Sequence, residues 1–303
     1  MERKKEILER IFADEQKTLR PISEGAEKWL NRPIKCLDYG FVYLVDYMGN
    51  DEAVAQAASV SYGRETKNNP DLEGLIRYLR RHTHTTPSEM VEFKFHCKMP
   101  IFVARQWIRH RTANVNEYSG RYSEMLNEFY LPEPSALRKQ SKTNKQGRDE
   151  ELTPEQCATI LDLLKEDYQR TFEHYQKFLT LDLAKELSRI NLSVANYTQW
   201  YWKIDLHNLL HFLRLRLDTH AQYEICIFGE AMSRIVKDAV PICYRAFEDY
   251  QLHSMRFSRV EIEIISQNTW PMQEQVMTQI LEQISNKRER AEFLEKLKKL
   301  NFL

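Results

Sequence analysis

Residues 91–99, VEFKFHCKM, alternate between apolar and polar side chains along their whole length. Successive side chains of a β-strand point to opposite faces of a sheet, so this pattern predicts a strand with one apolar face and one polar face. The chain is therefore expected to build a sheet with one face covered. The apolar positions are Val91, Phe93, Phe95, Cys97 and Met99, and the polar positions are Glu92, Lys94, His96 and Lys98.

Most other patterned segments predict helices, so the expected fold class is α+β with helix in excess. A second strand is expected at 41–47, followed by a turn. Residues 138–150 include no apolar side chain and are expected to form a linker or an exposed loop. Helices are expected at 51–62, at 72–81, from Pro100 through Arg109, at 154–179, at 183–190, and from about Trp200 to the region of Tyr250.

The charge pattern divides the chain into a central body, 36–250, and two helical extensions, 1–35 and 251–303. In the first extension, Ile7, Leu8 and Ile11 stand at helical spacing among charged residues. The second has apolar residues that recur at intervals of three and four, so both extensions are expected to be amphipathic. These residues are Met277, Ile280, Leu281 and Ile284, followed by Phe293, Leu294, Leu297 and Leu300.

The charges of this 303-residue chain balance, with 44 Lys and Arg against 44 Asp and Glu. A net charge of zero provides no overall attraction to nucleic acid or to membranes, so any anionic ligand must be bound locally. No apolar run approaches the roughly 20 residues that span a bilayer, and the first residues do not resemble a signal peptide. The expected location is the cytoplasm. The five cysteines form no C-x-x-C motif and predict neither a disulfide framework nor a metal site.

The densest polar cluster lies at 105–123, RQWIRHRTANVNEYSGRYS. Four arginines and one glutamate in this stretch indicate an anionic ligand, although an exposed, solvated helix end is the structural alternative. In the expected helix, Gln106 and Arg109 share a face, and the Ser-Gly-Arg that follows offers a hydroxyl, backbone N–H groups and a further cation. Such a set suits a phosphate together with a heterocycle.

A second cluster, at 205–222, combines His207 and His211 at i,i+4 spacing with Asp205 and Arg216, about three turns apart. The histidine spacing is also that of helical zinc ligands, but the glutamate of the zinc-protease motif is missing, and no metal is expected. The polar stripe predicts one wall of a ligand site. A buried salt-bridge network is the structural alternative.

A third feature is HTHTTPSE at 82–89, where Thr86, Pro87 and Glu89 fit a capping box at the start of a helix. That pattern explains Thr86 and Glu89 and leaves His84 without a role.

The motif Arg-His-Arg, seven residues, then Ser, at 109–119, resembles the signature of flavin-dependent thymidylate synthases. The similarity extends in order through 41–62, 82–107 and 208–225, and so covers about residues 37–250. It implies that family's helix-rich fold with a central, mostly antiparallel sheet. It also implies transfer of a one-carbon unit from 5,10-methylenetetrahydrofolate to dUMP with reduction through FAD and NADPH, and a homotetramer with FAD at subunit interfaces.

The resemblance assigns roles residue by residue. Arg216 matches the catalytic arginine, which favours ionisation of the uracil N3–H and directs electron density toward C5. The positions that match dUMP contacts are Gln106, Trp107, Ile108, Arg109, Glu117, Tyr118, Ser119, Gly120, Arg121, Arg189 and Arg216. Those that match or lie beside FAD contacts are Ser61, His84, Thr86, Arg109, His110, Arg111, Glu117, Asp205, Leu206, His207 and His211.

None of the cysteines lies in the arginine clusters, so the sequence favours a mechanism without an enzyme thiolate, in which flavin supplies the reducing equivalents. A related flavin enzyme that hydroxymethylates dUMP needs the same binding walls and remains an alternative. An anion- or nucleic-acid-binding protein that uses the arginine cluster is the other alternative.

Overall fold

The computed structural model describes residues 20–60, 71–142, 147–218, 220–268 and 274–302. It divides into two compact units, Met1–Phe247 and Glu248–Leu303. The expected N-terminal helical pattern around Ile7 and Ile11, and the expected FAD neighbour Ser61, lie outside the described residues.

The first unit is built on a five-stranded antiparallel sheet with the order β1-β2-β3-β7-β4. The strands predicted at 41–47 and 91–99 are confirmed, with slightly different ends. A separate two-stranded ribbon is formed by β5 and β6. The strands are β1 (Ile34–Cys36), β2 (Gly40–Met48), β3 (Glu92–Pro100), β4 (Asn114–Glu117), β5 (Arg138–Gln140), β6 (Arg148–Glu151) and β7 (Tyr197–Asp205).

The other elements of this unit are mostly helices, and the α+β class with helix in excess is confirmed. They are α1 (Glu24–Glu27), α2 (Asp51–Val60), α3 (Leu72–Arg81), α4 (Thr86–Glu89), α5 (Ile101–Trp107), α6 (Pro154–Thr180), α7 (Lys185–Ser188), α8 (Leu206–Arg216), α9 (Tyr223–Ala239) and α10 (Pro241–Phe247).

The apolar face of β3 is buried as predicted, with Phe93, Phe95, Cys97 and Met99 at most 1% exposed. Helix α9 packs against β1 and β2, and α8 packs against α9 and β7. The core therefore lies between one face of the sheet and these two helices, where burial of apolar surface drives folding.

The helix predicted from Trp200 onward is wrong in its first part. Residues 197–205 form β7, in which Trp200, Trp202 and Ile204 are buried in alternation. Aromatic and β-branched residues favour strands, and the leucine stripe that indicated a helix begins only at Leu206. The remainder is divided into α8, α9 and α10, and Pro241 opens the last of these.

Other boundaries also differ from the expectation. The helix predicted from Pro100 to Arg109 ends at Trp107, with Pro100 at the N-cap, so Gln106 and Arg109 do not share a helical face. The capping box predicted at Thr86 is absent, because the N-cap of α4 is Thr85 and its side chain makes no capping hydrogen bond. The helix predicted at 183–190 is limited to α7 and a 3₁₀ turn.

The stretch predicted as a linker or loop at 138–150 instead carries the β5–β6 ribbon, whose residues are all exposed. Arg148 of this ribbon pairs with the buried carboxylate of Glu224 on α9. The ribbon is therefore attached to the body by a charge pair that polar composition alone could not predict.

The second unit consists of α11 (Arg259–Asn268), α12 (Glu274–Glu282) and α13 (Lys287–Lys299), after a π-helical turn at Glu248–Leu252. Met277 and Leu297, both in the predicted apolar stripes, are buried. No helix among the described residues is long and apolar enough to cross a membrane.

Candidate active site

Arg216, the last residue of α8, holds its guanidinium against the imidazole of His110, which follows α5. The Arg216 Nε lies 3.2 Å and its Nη2 lies 2.8 Å from His110 Nε2. A Cβ atom on Gly229 of α9 would lie 3.3 Å from the Arg216 Cβ, so glycine allows the two helices to approach closely here. Burial lowers the pKa of the Arg216 guanidinium.

His110 is the most strongly perturbed histidine of this group. Burial lowers its pKa to about 4, and the positive charges of Arg216 and His211 act in the same direction. Its ring packs edge-on against Phe212, with ring centroids 4.9 Å apart. His110 is therefore neutral at physiological pH, and its Nε2 can accept hydrogen bonds.

His211 and His207 lie on the same helix, roughly one and a half and two and a half turns before its end. Burial lowers the pKa of both, and the Arg80 cation is the second cause for His207. The His207 Nδ1 is buried and makes no hydrogen bond. Among the described residues, no cluster of three or more His, Cys, Asp or Glu could hold a metal ion.

Asp205 is the N-cap of α8, and both of its carboxylate oxygens accept hydrogen bonds within this helix. It accepts hydrogen bonds from the Asn208 backbone N at 2.9 Å and from Asn208 Nδ2 at 2.7 Å. Leu206 is fully buried, and its N–H donates to the Val91 carbonyl at 2.7 Å.

Short helix α4 packs against α8 and carries Thr86 on its exposed side. His84, just before this helix, is also exposed, and its ring stacks on Tyr78 with centroids 6.0 Å apart. Arg80 of α3 is only 7% exposed and donates to Ser88 of α4 at 3.3 Å. Nothing in the sequence singles out Arg80, because an Arg-Arg pair on an amphipathic helix is typical of a solvated face.

A second group of residues lies on edge strand β4 and the turn after it. The Thr198 hydroxyl of β7 donates to Glu117 Oε1 at 2.7 Å and fixes that carboxylate. The backbone N–H of Tyr118 donates to the Gln199 carbonyl at 2.8 Å, which continues the pairing of β4 with β7. Sequence reasoning missed Thr198, because no strand was predicted at 197–205.

The Ser119-Gly120-Arg121 turn is closed by its own backbone, with the N–H groups of Tyr122 and Ser123 donating to the Ser119 carbonyl at 3.1 and 3.2 Å. A Cβ on Gly120 would lie 3.1 Å from the Arg189 Cδ. The turn thus brings Arg189, distant in sequence, against Gly120.

Arg121 of this turn pairs with Glu186 of α7, with Nε and Oε2 3.2 Å apart. Both side chains are more than half exposed. The contact is therefore a surface ion pair.

The residues at the end of α5 differ sharply in exposure. Trp107 is fully buried and packs against Trp200, Trp202, Phe212 and Phe228, so its side chain belongs to the core. The Oε1 atom of Gln106 is buried and makes no hydrogen bond. Ile108, Arg109 and Arg111 are exposed. The structure therefore leaves Gln106 and the flanking arginines as the polar groups available to a ligand here.

A cleft of about 760 Å³ lies elsewhere, between α6 and the segments around Asp38 and Leu131. None of the residues singled out from the sequence lines it. Asp38 in this cleft accepts from the Tyr197 hydroxyl at 2.5 Å and from the Leu131 N–H at 3.0 Å, so its carboxylate is satisfied within the protein.

Comparisons with known proteins agree with one another. Residues 43–242 match the family model described as thymidylate synthase complementing protein. The chain is 55% identical over 245 residues to the flavin-dependent thymidylate synthase of Ruegeria pomeroyi, covering 80% of this chain and 81% of the relative. It is 52% identical over 261 residues to the enzyme of that name from Rickettsia bellii, covering 82% and 89%.

Among solved structures, the UMP/dUMP methylase PolB from Streptomyces cacaoi, bound with 5-Br UMP, has a TM-score of 0.66 and 31% sequence identity. The match covers 73% of this chain and 99% of that one. A second structure of PolB, bound with 5-Br dUMP, has the same TM-score and identity.

Proposed function

This chain belongs to the flavin-dependent thymidylate synthase family, and we propose that it converts dUMP to dTMP with 5,10-methylenetetrahydrofolate, NADPH and bound FAD. The one-carbon unit is transferred to C5 of uracil, which loses a proton, and the methylene group is reduced to methyl by a hydride that NADPH provides through the flavin. Tetrahydrofolate and NADP⁺ are the other products. FAD, when bound, would carry the reducing equivalents from NADPH to the methylene group.

The observation that carries this proposal is the half-buried Arg216 cation held by neutral His110. Partial desolvation strengthens the interaction of a fixed cation with a nearby anion. Arg216 beside uracil N3 would stabilise the deprotonated ring and increase electron density at C5, the atom that attacks the one-carbon unit. This makes a thiolate unnecessary, in accord with Cys36, Cys97, Cys157 and Cys243 being buried.

The residues around Arg216 fit a flavin nucleotide. The buried, unpaired Nδ1 of His207 requires a partner, because a buried polar group without a hydrogen bond costs about 1–3 kcal/mol. Exposed Arg109 and Arg111 offer cations for phosphate, and Thr86 offers a hydroxyl. We assign the flavin to this side. Its proposed surroundings are His84, Thr86, Arg109, His110, Arg111, Glu117, Asp205, Leu206, His207 and His211.

The dUMP side is assigned to the second group of residues. Ser119, the backbone of Gly120, Arg121 and Arg189 provide donors suited to a phosphate, and Glu117 and the unpaired Oε1 of Gln106 provide acceptors. Arg216 completes this set beside the uracil ring of dUMP.

We also propose the homotetramer implied by the resemblance, with FAD at subunit interfaces. Large apolar side chains around Arg121 and Arg189 are exposed, which supports burial of this surface by another copy of the chain. They are Tyr122 (79% exposed), Leu181 (67%), Leu187 (50%), Ile190 (78%) and Val194 (61%). A cytoplasmic location stays a prediction.

The test is a visible spectrum of the purified protein, followed by incubation with dUMP, 5,10-methylenetetrahydrofolate and NADPH and mass analysis of the nucleotide. A flavin spectrum and a product about 14 mass units above dUMP are expected, with UMP as the comparison substrate. A gain of about 30 would indicate hydroxymethylation instead. A colourless protein that stays inert after addition of FAD would contradict the proposal and favour a different anion as the ligand.

A further inference from the structure

We propose that His110 is a positioning residue for Arg216, and that it acts as a neutral imidazole with its proton on Nδ1 and a bare Nε2. The inference rests on the proposed function only in assigning Arg216 to the uracil ring. The resemblance gives His110 a contact with flavin and no role toward Arg216.

The hydrogen-bond geometry determines the tautomer. Both Arg216 nitrogens near His110 carry only donor hydrogens, and both point to the same acceptor, His110 Nε2, at 3.2 and 2.8 Å. A guanidinium has no acceptor, so a ring protonated at Nε2 could not make either contact. In the neutral ring the remaining proton must therefore lie on Nδ1.

The imidazole is itself held by the core. Its ring meets the fully buried Phe212 edge-on at 4.9 Å, and Phe212 stacks on Trp107 at 5.1 Å. The His211 ring is also close to that of His110, with ring centroids 6.1 Å apart. Aromatic packing of this kind fixes the orientation of the His110 ring. The ring in turn holds the Arg216 guanidinium in a defined position relative to the core.

This arrangement divides the donors of Arg216. Nε and Nη2 are bound to His110, so the outer edge of the guanidinium, which includes Nη1, stays available for a ligand. A planar guanidinium held along one edge presents the opposite edge in one direction. The same arrangement leaves His110 only its Nδ1–H for any flavin atom, because Nε2 is already used.

The test compares two amides at position 110. The side-chain oxygen of His110→Gln can occupy the place of Nε2, whereas the shorter His110→Asn reaches only the place of Nδ1. We expect His110→Asn to lower kcat about a hundredfold, with a smaller change in KM for dUMP, because an ångström of misplacement can have that effect. His110→Gln should recover most of the loss. Equal losses in both variants would contradict positioning through Nε2.

A double-mutant cycle separates this role from a flavin contact. If His110 acts through Arg216, His110→Asn should cause no further loss of kcat in an Arg216→Ala background, with flavin content measured by absorbance in each variant. Losses that multiply would show that His110 acts independently of Arg216, and the proposal would be wrong.

A spectroscopic measurement is independent of turnover. In ¹⁵N-histidine-labelled wild-type protein at neutral pH, we expect one ring with a protonated Nδ1 and a bare Nε2 whose signals vanish in His110→Gln and shift in Arg216→Ala. If these signals are observed in a protein that makes no dTMP, the contact between His110 and Arg216 is supported and the proposed function is contradicted. A protonated Nε2 on His110 would contradict the pair even if dTMP is formed.

Discussion

Two regions with similar polar residues are organised in different ways. The first, which we call the helix site, comprises His110, His207, His211 and Arg216 around α8. The second, the turn site, comprises Glu117, Ser119–Arg121 and Arg189 on β4 and beyond. In the helix site, burial lowers the pKa of all three histidines, to about 4 for His110.

In the turn site, the structure comes from backbone hydrogen bonds and from the contact of Gly120 with Arg189, while its ion pair is exposed. Desolvation makes charges interact strongly, and exposure leaves them screened. We therefore propose a division of roles, in which the chemistry depends on the preorganised helix site and the turn site contributes mainly to binding.

Arg216→Ala should have the largest effect. Removing the only arginine held by His110 among the described residues should lower kcat by about a thousandfold, the loss typical for one electrostatic stabiliser of a transition state. Flavin should remain bound, as measured by absorbance. Steady-state kinetics with dUMP measure the first effect.

Arg214→Ala is the matched control, since Arg214 lies on the same helix and carries the same charge without contacting His110. Its kcat should stay within about threefold of the wild type. If both variants lose activity equally, net charge rather than the His110 contact determines the rate, and the division between the sites fails.

Thr198→Val should have an intermediate effect in the turn site. It removes the hydroxyl that donates to Glu117 at 2.7 Å and leaves the side-chain volume nearly unchanged. The loss of one hydrogen bond to a charged group, about 1.5–3 kcal/mol, predicts a KM for dUMP roughly ten- to a hundredfold higher with kcat less affected. Thr198→Ser restores the hydroxyl and should restore KM. A loss confined to kcat would place Glu117 in the chemistry instead.

Acid should destabilise the helix site through His110. Its folded pKa of about 4 lies below its ordinary value of 6.5, so the unfolded chain takes up the proton first as pH falls. The free energy of unfolding should therefore decrease between about pH 6.5 and pH 4. Burial is the main cause of this lowered pKa, and the positive charges of Arg216 and His211 act in the same direction.

Urea unfolding at pH 7 and pH 5 measures the effect. In His110→Gln, which cannot titrate, the drop between the two pH values should be smaller than in the wild type. An unchanged drop would assign the acid sensitivity to other groups, such as His207 and His96, whose pKa values are also lowered by burial.

Much of the fold was predictable because its signals are local. The alternation at 91–99 gave β3, and Leu72–Arg81 and Pro154–Thr180 follow helical spacing with clear starts. β7 was missed because alternation in YTQWYWKID runs directly into the leucine stripe of α8, and a period of two is hard to separate from 3.6 over so short a span. Helix ends such as the one at Trp107 depend on tertiary packing, which cannot be predicted from local propensity.

For the candidate site, the residue types can be read from the sequence, whereas their partners are visible only in the structure. The contact between His110 and Arg216 joins residues far apart in the chain, and nothing in either motif specifies it. The same is true of Arg189 against Gly120 and of Thr198 with Glu117. Non-local contacts of this kind arise from the sheet register and from helix packing.

Glu186→Gln should have the smallest effect on KM for dUMP among these variants. The ion pair between Glu186 and Arg121 is 3.2 Å long, and its side chains are 53% and 58% exposed. Exposed pairs contribute about 0–1 kcal/mol, because water and salt screen them and ordering two long side chains costs entropy. KM for dUMP should change by less than about threefold, measured at low and at high salt. A large rise in KM would mean that this pair interacts strongly despite its exposure, and the turn site would then be preorganised like the helix site.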